Sequence, residues 1–317
     1  MRVGVVGLGF GAAVHVPALQ RLDGIEVVAL AGSNRAGAQA TAAAAGVALG
    51  CGSVDELLEQ RLDAVTIAVP PDRQAEVAAA VLAAGLPVLA EKPLAASVDE
   101  AERLAELATS VTTMIDFELA ELRSFRTLSE TLLAGAYGTV RSVDVLWLRR
   151  PRAGRDRASW KEDPARGGGI LAQFGSHVLY LLEWLLGPIE AIAGEGSGTR
   201  LVLTCRAGGV PVSVTLDKDA DDHRHEWRID LTDDTLTAFN RGPDVAQGFR
   251  LVAASGAVLA EEPADSHPDG RVAVVSALAA RFVAAAADGR QVRPSFADGL
   301  RVQRLMSEIG RVRVAPR

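Results

Sequence analysis

A glycine-rich turn near the start of the chain constrains the fold more than any other feature. "RVGVV" is typical of a buried strand, and "GLGFGA" follows it directly, so Gly7, Gly9 and Ala12 fill the pattern G-x-G-x-x-G/A. Gly7 allows a tight turn, Gly9 lets main-chain N–H groups approach a pyrophosphate, and Ala12 lets the next helix pack closely on the sheet. The helix N-terminus adds partial positive charge. The turn, including Phe10 and Gly11, therefore predicts a dinucleotide-binding site.

Strands and helices alternate over residues 1–118, which predicts an α/β domain with a doubly wound parallel sheet of the Rossmann type. Runs of Val, Ile, Leu and Ala are typical of strands buried on both faces. After the first strand, the predicted strands are "IEVVALAG", "DAVTIAV", "LPVLAEKP" and "VTTMIDF". A short helix is expected at "SVDELLEQ", opened by a capping box from Ser53 to Glu56. Pro17 leaves open whether the first helix is kinked at this residue or begins there.

The pattern changes after residue 118, and residues 119–317 are predicted to form a second domain of the α+β class. Seven runs alternate apolar and polar residues between turn residues, which indicates an open, mostly antiparallel sheet with one covered face. One helix is expected before these runs, and two more around residues 270–288 and 296–310.

Composition excludes several classes of protein. The net charge of −7 argues against nucleic-acid binding, because phosphate contacts need a broad cationic face. No apolar run approaches the ~20 residues of a membrane span, so no membrane partner is expected. Cys51 and Cys205 are too few for a disulfide framework and suit a reducing cytoplasm. The arginine-rich run at 149–157 is a local exception, open to an anionic substrate, a partner chain or solvent.

The end of the second strand bears on the identity of the dinucleotide. An acidic residue is usual there when a ribose 2′-hydroxyl is bound. This chain instead has Ser33, Asn34 and Arg35, whose hydroxyl, amide and guanidinium groups suit a 2′-phosphate. NADP is therefore favoured and NAD remains open. The alternative is that these residues only cap the next helix.

No metal site is predicted. His223 and His225 would share one face of a strand, but a third zinc ligand is not evident. The segment "DKDADD" begins like a calcium-binding loop, yet it has Asp222 where that loop needs glycine and Arg228 where it needs glutamate.

Five motifs in the same order resemble the Gfo/Idh/MocA oxidoreductases, a family that includes glucose-fructose oxidoreductase and inositol dehydrogenases. The resemblance covers residue 3 to about residue 310. It implies a nicotinamide cofactor, a sugar, cyclitol or polyol substrate, and a homodimer or homotetramer formed through the C-terminal sheet. The motifs are "GLGFGA" with "HVPAL", "EKPLA", "WKEDPARGGGIL", "GSHVLYLLEWLLG" and "SFADGLRVQRLMSEI".

Lys92 is one of only three lysines among 33 Lys and Arg residues, and it ends a predicted strand. An ammonium there can stabilise alkoxide character on a substrate oxygen, by about 4 kcal/mol at about 4 Å when the effective dielectric constant is about 20. The resemblance implies that Lys92 is catalytic and that its bond to Pro93 is cis. A surface lysine is the alternative. Further candidate cofactor-binding residues near strand ends are Pro70, Pro71 and Glu91, together with Lys92.

His177 matches the histidine of the family's D-x-x-x-H motif, which implies that it is the proton-exchanging catalytic residue. The chain departs from that motif at two positions. Gln173 stands where relatives with an Asp-His pair have aspartate, and Tyr180 stands where many relatives have another aspartate. Gln173 can hydrogen-bond a substrate but cannot carry negative charge. Trp160 either lines the substrate cleft or packs in the core. Two functions follow: an NADP-dependent oxidoreductase, or a cofactor-binding sensor or regulator with impaired catalysis.

Overall fold

The computed structural model describes residues 1–151 and 159–312, and its chain divides into two compact units. The first unit comprises Met1–Phe117, Ala165–Gly167 and Arg271–Gln303. The second comprises Glu118–Pro164, Gly168–Gly270 and the described residues from Arg304 onward. The proposed domains 1–118 and 119–317 stay a prediction.

The first unit contains a six-stranded sheet in which each pair of neighbouring strands is parallel. The strand order is β3-β2-β1-β4-β5-β6, so the order reverses between β1 and β4. In open α/β sheets, this reversal creates the crevice in which ligands bind. The predicted Rossmann sheet is confirmed. Its strands are β1 (Arg2–Val6), β2 (Glu26–Ala31), β3 (Leu49–Cys51), β4 (Ala64–Ile67), β5 (Val88–Ala90) and β6 (Thr113–Ile115).

In the first unit, the α-helices of the described residues alternate with the strands of the sheet. In chain order, the α-helices of both units are α1 (Val16–Gln20), α2 (Arg35–Ala44), α3 (Val54–Leu58), α4 (Pro71–Ala83), α5 (Val98–Leu107), α6 (Arg123–Ala134), α7 (Ser176–Leu186), α8 (Arg271–Ala287) and α9 (Phe296–Val312). Wider π-helical turns lead into α1 and α7, over Gly11–His15 and Leu171–Gly175.

The π-helical turn before α1 answers the question that Pro17 raises. The N–H of Val16 donates to the carbonyl of Gly11, five residues earlier. The helical backbone continues into α1, where Pro17 occupies the first turn. Proline has no N–H to donate, and the helical hydrogen bond just before it, from Val16 to Gly11, is already of the wider π-helical type. Pro17 thus lies where one helical segment changes from π-helical to α-helical hydrogen bonding.

Helix capping differs in detail from the sequence-based prediction. Ser53 accepts a hydrogen bond from the N–H of Glu56, but the Glu56 carboxylate accepts from Gly52 instead of closing a capping box. A complete, reciprocal capping box opens α5, between Ser97 and Glu100. The short edge strand β3 was not predicted, because its residues Leu-Gly-Cys lack the Val/Ile/Leu run that marked the other strands of this sheet.

Apolar residues from both faces of the first sheet form its core. Val3, Leu30 and Leu89 are at most 1% exposed, as expected for parallel strands covered by helices on both sides. Leu278 and Phe282 of α8 belong to the same apolar cluster. Each fully buried side chain of this size stabilises the fold by about 1.5–3 kcal/mol, so α8 is an integral part of the first unit.

The second unit contains an eight-stranded sheet with the order β14-β13-β12-β11-β7-β10-β9-β8. Its neighbouring strands are antiparallel except for β7 and β10, which confirms the predicted open, mostly antiparallel sheet. The last strand, β14, was not predicted. The strands are β7 (Val140–Leu148), β8 (Ile189–Gly196), β9 (Arg200–Ala207), β10 (Val210–Asp217), β11 (Arg224–Leu231), β12 (Thr235–Asn240), β13 (Arg250–Ala253) and β14 (Val258–Glu261).

Burial alternates along these strands, so one face of the sheet is covered and the other carries polar side chains. On the polar face Ser213 donates to Asp144, and Glu226 accepts from both Arg224 and Arg241. The oligomer contact expected through this sheet stays a prediction.

Two further expectations concern segments outside the sheets. Residues 152–157 of the arginine-rich run lie outside the described part of the chain. Across the described residues, no helix combines the length and apolar character needed to cross a bilayer.

Candidate active site

The glycine-rich turn has a backbone that only glycine can adopt at its first position. Gly7 has a φ of +125°, and a Cβ there would lie 2.2 Å from the carbonyl oxygen of Ala68. A Cβ on Gly9 would have no heavy atom within 4 Å, which leaves room for a ligand beside the main chain. These features fit the pyrophosphate of a dinucleotide. Gly11 also lies close to the sheet, because a Cβ added there would lie 3.2 Å from Val5.

Ala12, to which the sequence pattern assigned close helix packing, is partly buried and packs against the apolar cluster of the first sheet. Gly11 beside it is buried. Phe10 is also partly exposed, and the guanidinium of Arg271 lies 4.8 Å from the centre of its ring. That geometry is a cation–π contact.

The residues predicted to select the cofactor have mixed roles. Asn34 caps α2, because its side-chain oxygen accepts a hydrogen bond of 2.7 Å from the N–H of Gly37. Arg35 forms a 2.7 Å ion pair with Glu56, while its side chain remains 59% exposed. Ser33 is exposed. Capping therefore accounts for Asn34, and Arg35 and Ser33 remain the groups suited to a 2′-phosphate.

Three chain segments meet at the carboxyl edge of the first sheet. The glycine turn follows β1, Pro70 and Pro71 form the start of α4 just after β4, and Glu91 and Lys92 follow β5. Since β1, β4 and β5 are neighbouring parallel strands, their carboxyl ends lie at one edge, beside the topological switch point. The peptide bond between Lys92 and Pro93 is cis, which confirms the expectation from the family resemblance.

The main chain around Lys92 is held by Gln74 of α4, a residue that the sequence analysis missed. Gln74 is 1% exposed. Its side-chain nitrogen lies 2.5 Å, 2.9 Å and 3.1 Å from the carbonyl oxygens of Glu91, Pro93 and Leu94. An amide nitrogen has two hydrogens, so it shares them among three acceptors. The sequence signal for this role was a glutamine about one helical turn after Pro70, the proline that follows a predicted strand.

Three ionisable side chains form a buried cluster in the first unit, and we call them the His15 cluster: His15, Glu91 and Asp116. The Nε2 atom of His15 lies 3.3 Å from Glu91 Oε1 and 3.3 Å from Asp116 Oδ2. The side chains of His15 and Asp116 are 1% and 0% exposed. No local pattern in the sequence marks Asp116, because its partners lie far away along the chain.

Charges within the His15 cluster determine which groups hold protons. Burial acts to lower the pKa of His15, but the nearby Asp116 and Glu91 carboxylates outweigh it and raise the pKa to about 9. Burial and the negative charge of Glu91 raise the pKa of Asp116 to about 7. Burial opposes ionisation of Glu91, yet His15 and Lys92 hold its pKa below the usual value. Near neutral pH, the cluster thus contains an imidazolium ion and an ionised Glu91.

The same three side chains could in principle hold a metal ion, because their ligand atoms lie within 4.8 Å of one another. A metal requires a neutral imidazole, whereas the pKa of His15 is raised to about 9. The positive charge of Lys92 beside Glu91 also disfavours a cation. A shared proton fits this cluster better than a metal.

His225, considered in the sequence as a zinc ligand, is instead part of the core of the second unit. It is 5% exposed, and its Nε2 accepts a 3.0 Å hydrogen bond from the indole of Trp227. Its ring also stacks on Trp147, with ring centres 3.9 Å apart. Burial lowers its pKa to about 3, so it is neutral. His223 lies just before β11, and the pair forms no zinc site.

His177 lies in the first turn of α7 and is only 4% exposed. Its Nδ1 atom lies 3.7 Å from Oε2 of Glu118, a buried carboxylate in the turn that follows β6. Gln173 stands where relatives with an Asp-His pair have aspartate, and no local pattern in the sequence marked Glu118. At 3.7 Å this contact is electrostatic and longer than a hydrogen bond.

Gln173, Trp160 and Tyr180 have distinct surroundings in the second unit. The side-chain amide of Gln173 donates a 2.5 Å hydrogen bond to the carbonyl of Lys161, in the short turn that begins at Trp160. Trp160 is partly exposed. Tyr180 is 4% exposed within α7. Trp160 and Gln173 therefore belong to one local substructure, while Tyr180 packs in the interior.

A Rossmann sheet with a phosphate-binding turn, joined to a second unit built on an open antiparallel sheet, defines a class of two-domain NAD-binding proteins. Two family models make the assignment specific. Residues 1–117 match "Oxidoreductase family, NAD-binding Rossmann fold", and residues 125–236 match "GFO/IDH/MocA C-terminal domain". The chain belongs to the Gfo/Idh/MocA family of oxidoreductases.

Individual relatives are similar over different lengths. An uncharacterised oxidoreductase of Synechocystis sp. is 36% identical over 62% of this chain and 54% of its own length. The D-xylose 1-dehydrogenase (NADP(+)) 2 of Haloferax volcanii is 29% identical over 84% of this chain and 86% of its own. The chain thus spans about half the length of some relatives.

A solved structure of levoglucosan dehydrogenase in complex with NADH and levoglucosan has the same fold. It superposes with a TM-score of 0.83 at 20% identity and covers 98% of this chain and 96% of its own.

Proposed function

We propose that this protein is an NADP-dependent oxidoreductase that transfers hydride between the nicotinamide and a hydroxyl or carbonyl carbon of a sugar, cyclitol or related polyol. The observation that carries the proposal is the glycine turn and Lys92 at one edge of the sheet, beside the topological switch point. The named activities of family members support this substrate class.

The cofactor, when bound, supplies or accepts the hydride, and the chain's own residues bind it and handle charge and protons. The main chain of the glycine turn is suited to the pyrophosphate. The Lys92 ammonium stabilises negative charge on the substrate oxygen as the carbon–hydrogen bond breaks or forms. His177 takes up the hydroxyl proton in oxidation and returns it in reduction, in a role that typically contributes about 10²- to 10⁴-fold.

Glu118 supports this role for His177. With glutamine at position 173, the carboxylate of the family's Asp-His pair is absent from the usual place. Glu118 presents a carboxylate to Nδ1 of His177 from another element. Such a partner stabilises the imidazolium that forms when His177 accepts a proton.

The experiment is a turnover assay with purified protein. NADPH oxidation at 340 nm is followed with a panel of keto-sugars and ketocyclitols, and NADP⁺ reduction with the corresponding polyols. We expect turnover with at least one member of the panel and a loss of at least about 100-fold in Lys92→Met, since the ammonium is removed. Wild-type turnover in Lys92→Met would contradict the assigned role of Lys92.

The preference for NADP rests on Arg35 and Ser33 at the end of β2. An arginine contact to a 2′-phosphate is worth about 1.5–3 kcal/mol, so Arg35→Ala is expected to weaken NADPH binding about 10- to 100-fold. NADH binding should change little. Cofactor fluorescence titrations measure both affinities, and equal losses for the two cofactors would assign Arg35 a structural role through Glu56.

A second candidate function is a cofactor-binding sensor or regulator with impaired catalysis. Gln173 favours it, because the amide cannot relay a proton and is hydrogen-bonded to Lys161. The same assay separates the two functions. Tight NADPH binding without turnover across the panel supports the sensor, and turnover on any member supports the enzyme.

A further inference from the structure

The His15 cluster connects three chain segments that follow the carboxyl ends of strands in the first sheet. His15 ends the π-helical turn after the glycine-rich turn, Glu91 follows β5, and Asp116 follows β6. The N–H of Glu91 donates to Ile67 at 2.8 Å, and the N–H of Asp116 donates to Ala90 at 2.7 Å. Both carboxylates are therefore carried on backbone that continues the sheet's hydrogen bonding.

The π-helical turn contributes to the position of His15. One extra residue in a helical turn rotates the residues that follow it around the helix axis, and π-helical turns are frequent at functional sites. His15 is the last residue of this turn and is buried against the sheet edge. The cofactor turn and the His15 imidazole thus belong to one short helical segment.

The cluster adjoins Lys92 through the polypeptide itself. Glu91 precedes Lys92, and the charge of Lys92 acts on the Glu91 carboxylate. Gln74 holds the carbonyl oxygens of Glu91 and Pro93, the residues on either side of Lys92. The main chain around Lys92 is held by Gln74, and the Glu91 side chain is held by His15.

Nothing in the proposed reaction uses the imidazole of His15 directly. It is buried and bonded to carboxylates, so its effect on the reaction has to pass through Glu91. A buried charge without its counter-charge is strongly unfavourable, which makes the position of Glu91 dependent on His15.

We propose that His15 is a positioning residue: it binds Glu91 and Asp116 and thereby holds Lys92 in place relative to the cofactor-binding turn. The inference rests on the proposed function for the role of Lys92. The cluster itself can be tested without any catalytic assay.

The first test follows the imidazole of His15 by NMR, which is feasible because the chain has five histidines. His15→Gln assigns the signal, and His267→Gln, which alters a histidine of the second unit, is the matched control. We expect His15 in the wild type to titrate with a pKa of about 9, and at clearly lower pH in Glu91→Gln, because a counter-charge is lost. Titration at the ordinary value in the wild type, or no change in Glu91→Gln, overturns the cluster.

The second test observes Lys92 directly. Protein labelled with ¹³C at the lysine ε-carbon gives three lysine signals, from Lys92, Lys161 and Lys218. We expect His15→Gln to shift or broaden the signal of Lys92 and to leave the other two, which lie in the second unit, unchanged. An unchanged Lys92 signal overturns the positioning role.

The third test compares cofactor binding with turnover in His15→Gln. Loss of a residue that orients an active group typically costs about 10- to 100-fold, and we expect that loss in kcat, with little change in the NADPH Kd. A matching loss of NADPH affinity would make His15 a structural part of the cofactor turn and overturn the proposal. If the wild type shows no turnover but both NMR experiments give the expected results, the proposed function is wrong, while the contacts of the His15 cluster are supported.

Discussion

At the scale of residues, the proposed carboxylate partner of His177 lies in a different element from the one that relatives with an Asp-His pair use. Relatives with an Asp-His pair use a position one helical turn before the histidine, where this chain has Gln173. The structure instead places Glu118 3.7 Å from His177 Nδ1. Because Glu118 and Gln173 belong to separate elements, the exchange leaves no local pattern in the sequence.

Removing the charge of Glu118 tests this exchange. We expect Glu118→Gln to lower kcat about 10-fold or more with a smaller change in KM, because an imidazolium forming at His177 loses its counter-charge. Steady-state kinetics over a range of pH measure the effect. Glu121→Gln is the matched control, since Glu121 lies in the same turn and pairs with Arg126. Equal kinetics for the two variants would show that Glu118 has no special relation to His177.

At the scale of elements, the helices of the first unit differ in how their N-termini are closed. The capping box of α5 has hydrogen bonds in both directions between Ser97 and Glu100. In α3 only the bond from the N–H of Glu56 to Ser53 is present, and the Glu56 carboxylate instead binds Gly52 and Arg35. Glu56 therefore connects α3 to the start of α2, close to the residues proposed to select the cofactor.

Replacing either N-cap serine is expected to lower stability, but only one of the two replacements should also weaken cofactor binding. Ser97→Ala should lower the free energy of unfolding by about 1 kcal/mol, the usual value for a lost N-cap, without altering cofactor affinity. Ser53→Ala should lower it similarly and also weaken NADPH binding, because α3 carries Glu56, the partner of Arg35. Urea denaturation and fluorescence titration measure the two quantities. A weaker affinity for NADPH in Ser97→Ala alone would contradict the assignment.

At the scale of the whole molecule, buried ionisable groups make stability depend on pH. The raised pKa of His15, about 9, contributes stability that is fully present below its usual value of 6.5 and is lost as pH rises through 9. The raised pKa of Asp116, about 7, adds a contribution that is lost as pH rises from 3.8 through 7. The lowered pKa of Glu91 adds a contribution to stability that is lost as pH falls below the usual value of 4.5.

The free energy of unfolding is therefore expected to fall between pH 7 and pH 10, by an amount on the order of 2 kcal/mol from the His15 cluster. His15→Asn should be less stable at pH 6 and should approach the wild type near pH 10. Urea denaturation at several pH values checks this, with His267→Gln as the control. Parallel curves for the wild type and His15→Asn would contradict the charge assignment.

Local patterns predicted much of the fold but few of the contacts within the site. Alternation of strands and helices indicated the first sheet, alternation of apolar and polar residues indicated the second, and the glycine spacing and the rarity of lysine indicated the turn and Lys92. The strands β3 and β14 lack the longer apolar or alternating runs that marked the other strands. The partners His15 and Glu91 lie 76 residues apart, and Gln74 and Leu94 lie 20 apart, so only the folded chain reveals these contacts.

The most direct measurement for the central claim follows the hydride itself. NADPH carrying deuterium at C4 of the nicotinamide is incubated with the protein and a keto-sugar that supports turnover, and the product is analysed by mass spectrometry. We predict one deuterium on the carbon that becomes the carbinol, from one face of the nicotinamide, with loss of this transfer in Lys92→Met. Product without deuterium when each of the two C4 positions has been labelled in turn, or NADPH that is bound and never oxidised, would contradict hydride transfer by this protein.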